Sequence, residues 1–392
     1  MTSTRLSPAA VLLSPVWGLA AMQGAITLMW VIYNLYLPDF LVQFGFPLEA
    51  ATALLVVENL LAAGSEPVMG NFSDRAQRWV GTRFPFIMIG VILSSALFLS
   101  IPMLVVFRGN VDGAARSGLL LVLISWALAM TLFRSPVMSL LGRYAVGSQM
   151  PLAASILTLV GAVTGAIAPS VQPLFSRMGA PFAFATGSFI LLLAAFVLRR
   201  VSPPPTPSDP SNATSAPRLV WPKLILIFGS GVGIAVGFRL LLRVLPLRAL
   251  TEAGTPSSSQ LTVLFVAIAI SAIPTGGLAV RLGNTRAMLI GLAMLAGGLG
   301  LGLLSQAPAF ITVLTVLMGC AFSLVSNGTL PFALALVPPA KGGLGTGLFF
   351  GGGTLGSALF ISLFQNLAIA SSIGLGAIAF LFTAACVAFA DR

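Results

Sequence analysis

The sequence predicts an all-α integral membrane protein of twelve transmembrane helices, arranged as two pseudo-symmetric six-helix bundles. Three observations predict it: scarce charge, the clustering of that charge, and a motif that recurs in the second half. Of 392 residues, 57% are hydrophobic and 7% charged, where soluble domains carry roughly a quarter charged residues. So few polar groups cannot cover a water-facing surface, so lipid is the solvent for most of the outer face. No Asp, Glu, Lys or Arg occurs in the 54 residues between Arg286 and Lys341, nor in the 49 between Lys341 and Asp391. A single helix of either length, at about 1.5 Å per residue, would be about twice as long as a bilayer is thick. Each stretch therefore folds back as a helical hairpin.

In chain order, apolar runs place helices near 15–38, 50–70, 84–107, 117–141, 152–176 and 178–198. After a break come 223–247, 260–280, 285–305, 308–337, 343–365 and 369–390. Ser305-Gln306-Ala307-Pro308 turns the first charge-free hairpin, and the stretch from Gln365-Asn366 to Ser371-Ser372 turns the second. Helices 5 and 6 divide at Arg177-Met178-Gly179-Ala180-Pro181. The runs lack the period-two alternation of barrel strands, which excludes an outer-membrane barrel. The run after Pro15 is too long for the core of a signal peptide and reads as helix 1.

Several function classes fall away on composition. There is no His, which removes imidazole metal sites and His proton relays. Cys320 and Cys386 both fall inside predicted helices, so no disulfide framework is expected. No phosphate-binding Gly-Lys motif or cysteine cluster is present, so neither an enzyme nor an ATP-driven pump is expected, and no cofactor.

Lys and Arg set the orientation. With the N-terminus in the cytoplasm, that side carries Arg5, Arg75, Arg78, Arg83, Arg143, Arg199, Arg200, Arg218, Lys223, Arg281, Arg286, Lys341 and Arg392. The opposite side keeps Arg108, Arg116, Arg177 and Arg248. Both termini are thus expected in the cytoplasm of an inner membrane. Topology accounts for the net charge of +11, and no nucleic-acid partner is needed.

The expected organisation is a first bundle over 1–200, a cytoplasmic linker over 201–221 and a second bundle over 222–392. The linker is rich in Pro and Ser, an extended and flexible composition. Its sequon Asn212-Ala213-Thr214 is on the cytoplasmic side and inert. The recurring motif is GNFSDRAQRWVG after helix 2 and GGLAVRLG after helix 8, matching Gly70 with Gly276 and Arg75 with Arg281. Pro136 and Pro331 are likewise each followed by a short loop and a Gly-rich helix. Small residues recur every fourth position at Gly229, Gly233, Gly237 and at Gly343, Gly347, Gly351, a pattern that marks close helix packing.

On these residues the chain resembles the major facilitator superfamily. Gly70, Asp74, Arg75, Gly81 and Arg83 fit that family's signature between helices 2 and 3. Glu66-Pro67-Val68-Met69-Gly70 and Gly81-Thr82-Arg83-Phe84-Pro85-Phe86-Ile87 resemble the glycoside-pentoside-hexuronide cation symporters and sucrose transporters. The likeness covers about residues 33–90, with an echo at Arg134-Ser135-Pro136. The second acid of melibiose-type members is Ala62 here, and the second-half signature acid is Val280. The resemblance implies a secondary transporter with a cavity lined by helices 1, 4, 7 and 10. Its expected partners are a small-molecule substrate, co-transported protons and the lipid bilayer, and it is expected to be a monomer.

Charges at membrane depth are costly, about 2.5–3.5 kcal/mol each at a helix centre, so each requires a partner or a watery cavity. Glu58 is the deepest acid; in a low-dielectric site a carboxylate can take up and release a proton. It is assigned coupling, against a structural salt bridge or hydrogen bond. Glu66 and Arg134 lie near the cytoplasmic ends of their helices and are expected to pair as a gate beside Asp74 and Arg75. Arg239 and Arg243 share a face of helix 7, Arg239 towards the cavity and Arg243 snorkelling to the outer headgroups. Gln23, Thr27, Trp30 and Asn34 form a polar stripe on helix 1, open to ligand contact or to helix packing. Ser323 and Asn327 are its smaller counterpart on helix 10. A sugar or glycoside symporter, an exporter or flippase of an amphiphilic or anionic compound, and a non-transporting assembly or pigment-delivery factor all fit this pattern.

Overall fold

The computed structural model describes residues 11–107, 113–204, 219–249, 259–305 and 307–391. Twelve long helices run through them. The first six are α1 (Leu13–Gln43), α2 (Ala50–Val80), α3 (Phe84–Val106), α4 (Gly113–Met138), α5 (Met150–Met178) and α6 (Ala180–Val201). The others are α7 (Trp221–Arg248), α8 (Ser259–Leu282), α9 (Asn284–Leu301), α10 (Pro308–Ala335), α11 (Gly342–Leu359) and α12 (Ile369–Ala390). A π-helical turn, Phe360–Phe364, extends α11. Among the described residues there is no β-strand. Most of the linker lies outside the described residues, with Ser208, the Asn212 sequon and Arg218; so do Arg5, Arg108, Gln306 and Arg392.

Eleven of the helices are long and apolar enough to cross a membrane. The remaining one, α2, is as long as α1 but carries Glu58, Glu66, Asp74, Arg75 and Arg78. Its length corrects the expected boundary at 70. The Asp74-Arg75 motif is helical, and the chain turns only at Gly81, whose φ of +75° is left-handed and suits glycine. The α5–α6 division falls at Gly179, again at positive φ.

Twelve antiparallel helices return the start of α1, the end of α6, the start of α7 and the end of α12 to one face, here called the terminal face. Two large hydrophobic cores, with two small clusters beside them, fill the described structure. One joins buried residues from Val16 to Leu198, with Leu330 reaching in; the other joins Leu224 to Ala390, with Ala162 reaching in. Between them α2 packs along α11, and α5 along α8. The sequence correspondences of helix 2 with helix 8, and of the Gly-rich helix after Pro136 with that after Pro331, pair these two seams with each other.

The two glycine stripes serve different contacts. Gly229, Gly233 and Gly237 of α7 lie against Phe380, Phe382 and Thr383 of α12, inside the second half. Gly343, Gly347 and Gly351 of α11 lie against the backbone of α2 at Gly70, Glu66 and Ala63. Backbone-to-backbone approach of this kind leaves no room for a side chain, so this stripe lets the two halves close at the terminal face.

Candidate functional site

Where the seams part towards the far face, a chamber remains between the halves in two lobes. The first, of about 420 Å³, is lined by α1, α2, α4, α7 and α11 and includes Trp30, Asn34, Glu58, Asn59, Thr131, Arg134, Arg239, Thr354 and Ser357. The second, of about 450 Å³, is lined by α1, α5, α7, α8, α10 and α11; Phe238, Phe265, Phe322 and Phe349 dominate it. Phe350 borders both lobes. The expected lining by helices 1, 4, 7 and 10 is thus incomplete: α2 and α11 supply much of the polar lobe, and α5 and α8 much of the aromatic one.

The helix 1 stripe faces this chamber, split between lobes. Trp30 and Asn34 line the polar lobe, Gln23 and Thr27 the aromatic one. Trp30 is fixed by Tyr33 and Trp126, whose ring centroids lie 5.7 and 4.9 Å away. Arg239 borders the polar lobe, its Nε donating to Ser357 Oγ at 2.9 Å. Arg243 does not snorkel. It donates to Ser372 Oγ at 2.5 Å and to the Leu367 carbonyl at 2.6 Å, pinning the α11–α12 turn, because these acceptors lie within its reach.

Ser323 and Asn327 line neither lobe. Both are fully buried; Ser323 meets Thr275, and Asn327 donates to the Ala272 carbonyl and to Thr275 Oγ1. Their spacing of four puts them on one face, but that face packs on α8. They hold helices together and take no place in the chamber wall.

Glu58 is buried on the chamber side of α2, and the Tyr33 hydroxyl donates to its Oε1. Tyr33 is itself clamped against Trp126, ring centroids 4.3 Å apart. Sequence reasoning missed this partner because it lies on another helix and carries no charge. Among the described residues Glu58 has no ion-pair partner, so it can hold a proton without breaking a salt bridge.

Glu66 and Arg134 do pair, at 2.6 Å, with Arg134 Nε adding a bond of 2.7 Å and Ser135 Oγ donating to the second carboxylate oxygen. Both residues belong to the first half, so their bond braces α2 to α4 and does not bridge the halves. Among the described residues Arg134 meets the other half at the Phe350 ring, 4.9 Å from its guanidinium carbon. Removing one partner of a buried pair leaves an uncompensated charge and costs about 3–5 kcal/mol. Glu66→Gln is expected to lower the melting temperature sharply, and Glu66→Gln/Arg134→Gln to recover part of the loss. A double variant no more stable than the single one contradicts this pairing.

Among the contacts that cross between the halves, Asp74 is the charged one that bonds backbone. Its carboxylate accepts the backbone N–H of Gly343 at 2.9 Å and of Leu344 at 2.8 Å, and Arg83 Nη2 at 2.6 Å. No side chain of its own caps the start of α11, so Asp74 caps it from the other half, satisfying free N–H groups and the positive end of the helix dipole. Arg83 also donates to Ser139 Oγ at 2.7 Å, and Lys341 Nζ to Asn71 Oδ1 at 2.8 Å. Arg75, the expected companion of Asp74, is exposed and lies over the Phe72 ring instead. Adjacent residues on a helix point apart, whereas Arg83, beyond the turn, folds back onto Asp74.

The family model of the Major Facilitator Superfamily matches residues 19–361. The chain belongs to that superfamily. As a facilitator it is a multi-pass membrane protein of a transporter family, with a bilayer around it and a small molecule as its class of cargo. Solved facilitators share its fold. A bacterial homologue of the iron transporter ferroportin, in an outward-facing state, superposes with TM-score 0.72 at 17% identity, covering 96% of this chain and 99% of that one. The proton:xylose symporter XylE, bound to 6-bromo-6-deoxy-D-glucose, gives 0.68 at 15% identity, with 97% and 93% covered. The human organic anion transporter MFSD10 (TETRAN) gives 0.64 at 13% identity, with 95% and 98% covered. Among curated proteins no relative matches.

Proposed function

We propose that this facilitator is a proton-coupled secondary transporter of a small polar solute, a sugar or glycoside by preference, bound in the polar lobe. One observation carries the reading: a lobe holding Trp30, two amides, several hydroxyls and an acid lies between the halves, above a seam closed by the Asp74 cap. An aromatic face with amide and hydroxyl neighbours suits the apolar and polar faces of a sugar ring. The likeness of residues 33–90 to the glycoside-pentoside-hexuronide and sucrose transporters supports the same cargo. In this reading the terminal face is cytoplasmic, the halves 1–200 and 222–392 rock about the linker, and Glu58 carries the proton. The Asp74 cap forms when the cytoplasmic face is shut and breaks when it opens, the two-state element that alternating access requires.

Thermal stabilisation of the purified protein tests the cargo, because a ligand stabilises by RT ln(1 + [L]/Kd) and even millimolar binders register at high concentration. Sugars are expected to raise the melting temperature. The phenylalanine-lined lobe favours a second reading, export of an amphiphile, and stabilisation by amphiphiles in place of sugars would establish it. Silence from sugars, organic anions and lipids alike would point to a non-transporting membrane factor.

A further inference from the structure

The two seams are fastened unequally at the terminal face. On the α2–α11 side, Asp74 bonds the backbone of Gly343 and Leu344, and Lys341 Nζ bonds Asn71. Thr346 Oγ1 adds a bond to the Ser135 carbonyl at 2.9 Å. Each of these bonds crosses between the halves. On the α5–α8 side, among the described residues, no hydrogen bond or ion pair joins α5 to the second half. Ser155, the polar side chain at the contact, donates to the Leu152 carbonyl of its own helix.

Both partners of the missing bond are absent. In the repeat, Val280 stands where Asp74 stands, so the second seam has no acid to accept. Pro151 is the second residue of α5, as Gly343 is of α11, and proline has no N–H to donate. Close packing and open space take the place of the bond. Gly276 lies against Ser155 and the Pro151 carbonyl with no room for a Cβ. Beside that contact lies a cavity of about 400 Å³, lined by Met150, Pro151, Ala279, Val280, Asn284 and Pro331. The aromatic lobe begins within about two turns of it, at Ala154 and Leu157 of α5, and borders it at Leu330 of α10. Lobe and vestibule are successive spaces along one seam, divided where Gly276 meets Ser155.

Resting on the transport reading above, we infer that the terminal face opens unevenly, with α5 and α8 parting further than α2 and α11. The solute then passes to that face through the aromatic lobe and the vestibule beside Val280. Parting Gly276 from Ser155 breaks no hydrogen bond and strips no charge of its partner. Parting α2 from α11 uncaps the start of α11, so that seam yields less and acts as the hinge.

The test compares spin-label distances across the two seams of the full-length protein in a bilayer, with Cys320 and Cys386 replaced. Ser148→Cys with Leu282→Cys spans the terminal ends of α5 and α8, and Arg78→Cys with Ala340→Cys those of α2 and α11; all four positions are exposed. Each pair is expected to show a short and a long distance, with the larger step between them at Ser148 and Leu282. Val280→Asp/Pro151→Gly supplies both the acid and the N–H. It is expected to lower the long population of that pair about fivefold, the scale of one helix cap. The route is read by thiol chemistry. Ser155→Cys, buried in one seam, is expected to react with a water-soluble maleimide about tenfold faster than Thr346→Cys, buried in the other. Equal steps, a larger step at Arg78 and Ala340, or equal reaction of the two thiols would overturn the inference and leave alternating access standing. One narrow distance at both pairs would remove alternating access, and this inference with it. The comparison of the two seams decides even if the Val280→Asp/Pro151→Gly variant fails to fold.

Discussion

Glu58→Gln is expected to abolish uphill accumulation of the solute while leaving solute exchange across the membrane intact. Gln keeps the shape of the side chain and still accepts the Tyr33 hydroxyl, but it fixes the neutral state. One proton carried per solute down a one-unit pH gradient supplies about 1.4 kcal/mol, about tenfold accumulation. In the variant that ratio falls to one, and the pH dependence of uptake flattens. Tyr33→Phe, which removes the partner and keeps the acid, is expected to shift the pH profile without abolishing accumulation. Concentrative, pH-dependent uptake unchanged in Glu58→Gln would exclude Glu58 as the coupling group. Loss of folding together with uptake would give it a structural role.

Asp74→Ala is expected to slow transport at least as severely, by a different route. The substitution removes the cap from the start of α11 and leaves Arg83, itself buried, without its counter-charge. In the proposed cycle the two backbone bonds exist only while the terminal face is closed. A lost cap is worth about 0.5–2 kcal/mol, and one or two kcal/mol is a factor of roughly five to thirty in a two-state equilibrium. The resting population therefore moves towards the state open at the terminal face. Asp74→Asn, which keeps one acceptor oxygen, is expected to fall between. Solute exchange as fast in Asp74→Ala as in the wild type would contradict the capping role.

Residues that must solve a local problem were legible in the sequence; residues that answer a distant helix were not. Twelve helices could be read because hydrocarbon tolerates little else. The pairing of Glu66 with Arg134 could be read because two charges at similar depth need each other. That both sit in one half, and so brace it instead of latching the halves, depends on how α4 packs. The Asp74 contact across the halves was hidden because Asp74 and Arg75 read as a loop, and because its partners are backbone N–H groups. The missing cap at Lys341-Gly342-Gly343 was its one sequence signal. Ser323 and Asn327 had helical spacing, but spacing fixes a face and not what the face meets.

Whether the halves cycle about the Asp74 contact is the central claim. It is tested most directly by spin-label distance measurement across the terminal ends of α2 and α11. Arg78 and Ala340 are exposed positions there and accept labelled cysteines once Cys320 and Cys386 are replaced. Two populations are expected in a bilayer. The shorter distance belongs to the closed seam described above; the longer grows in Asp74→Ala and responds to bound solute and to pH. A single narrow distance, unmoved by solute, pH or loss of the Asp74 carboxylate, would contradict alternating access in this chain.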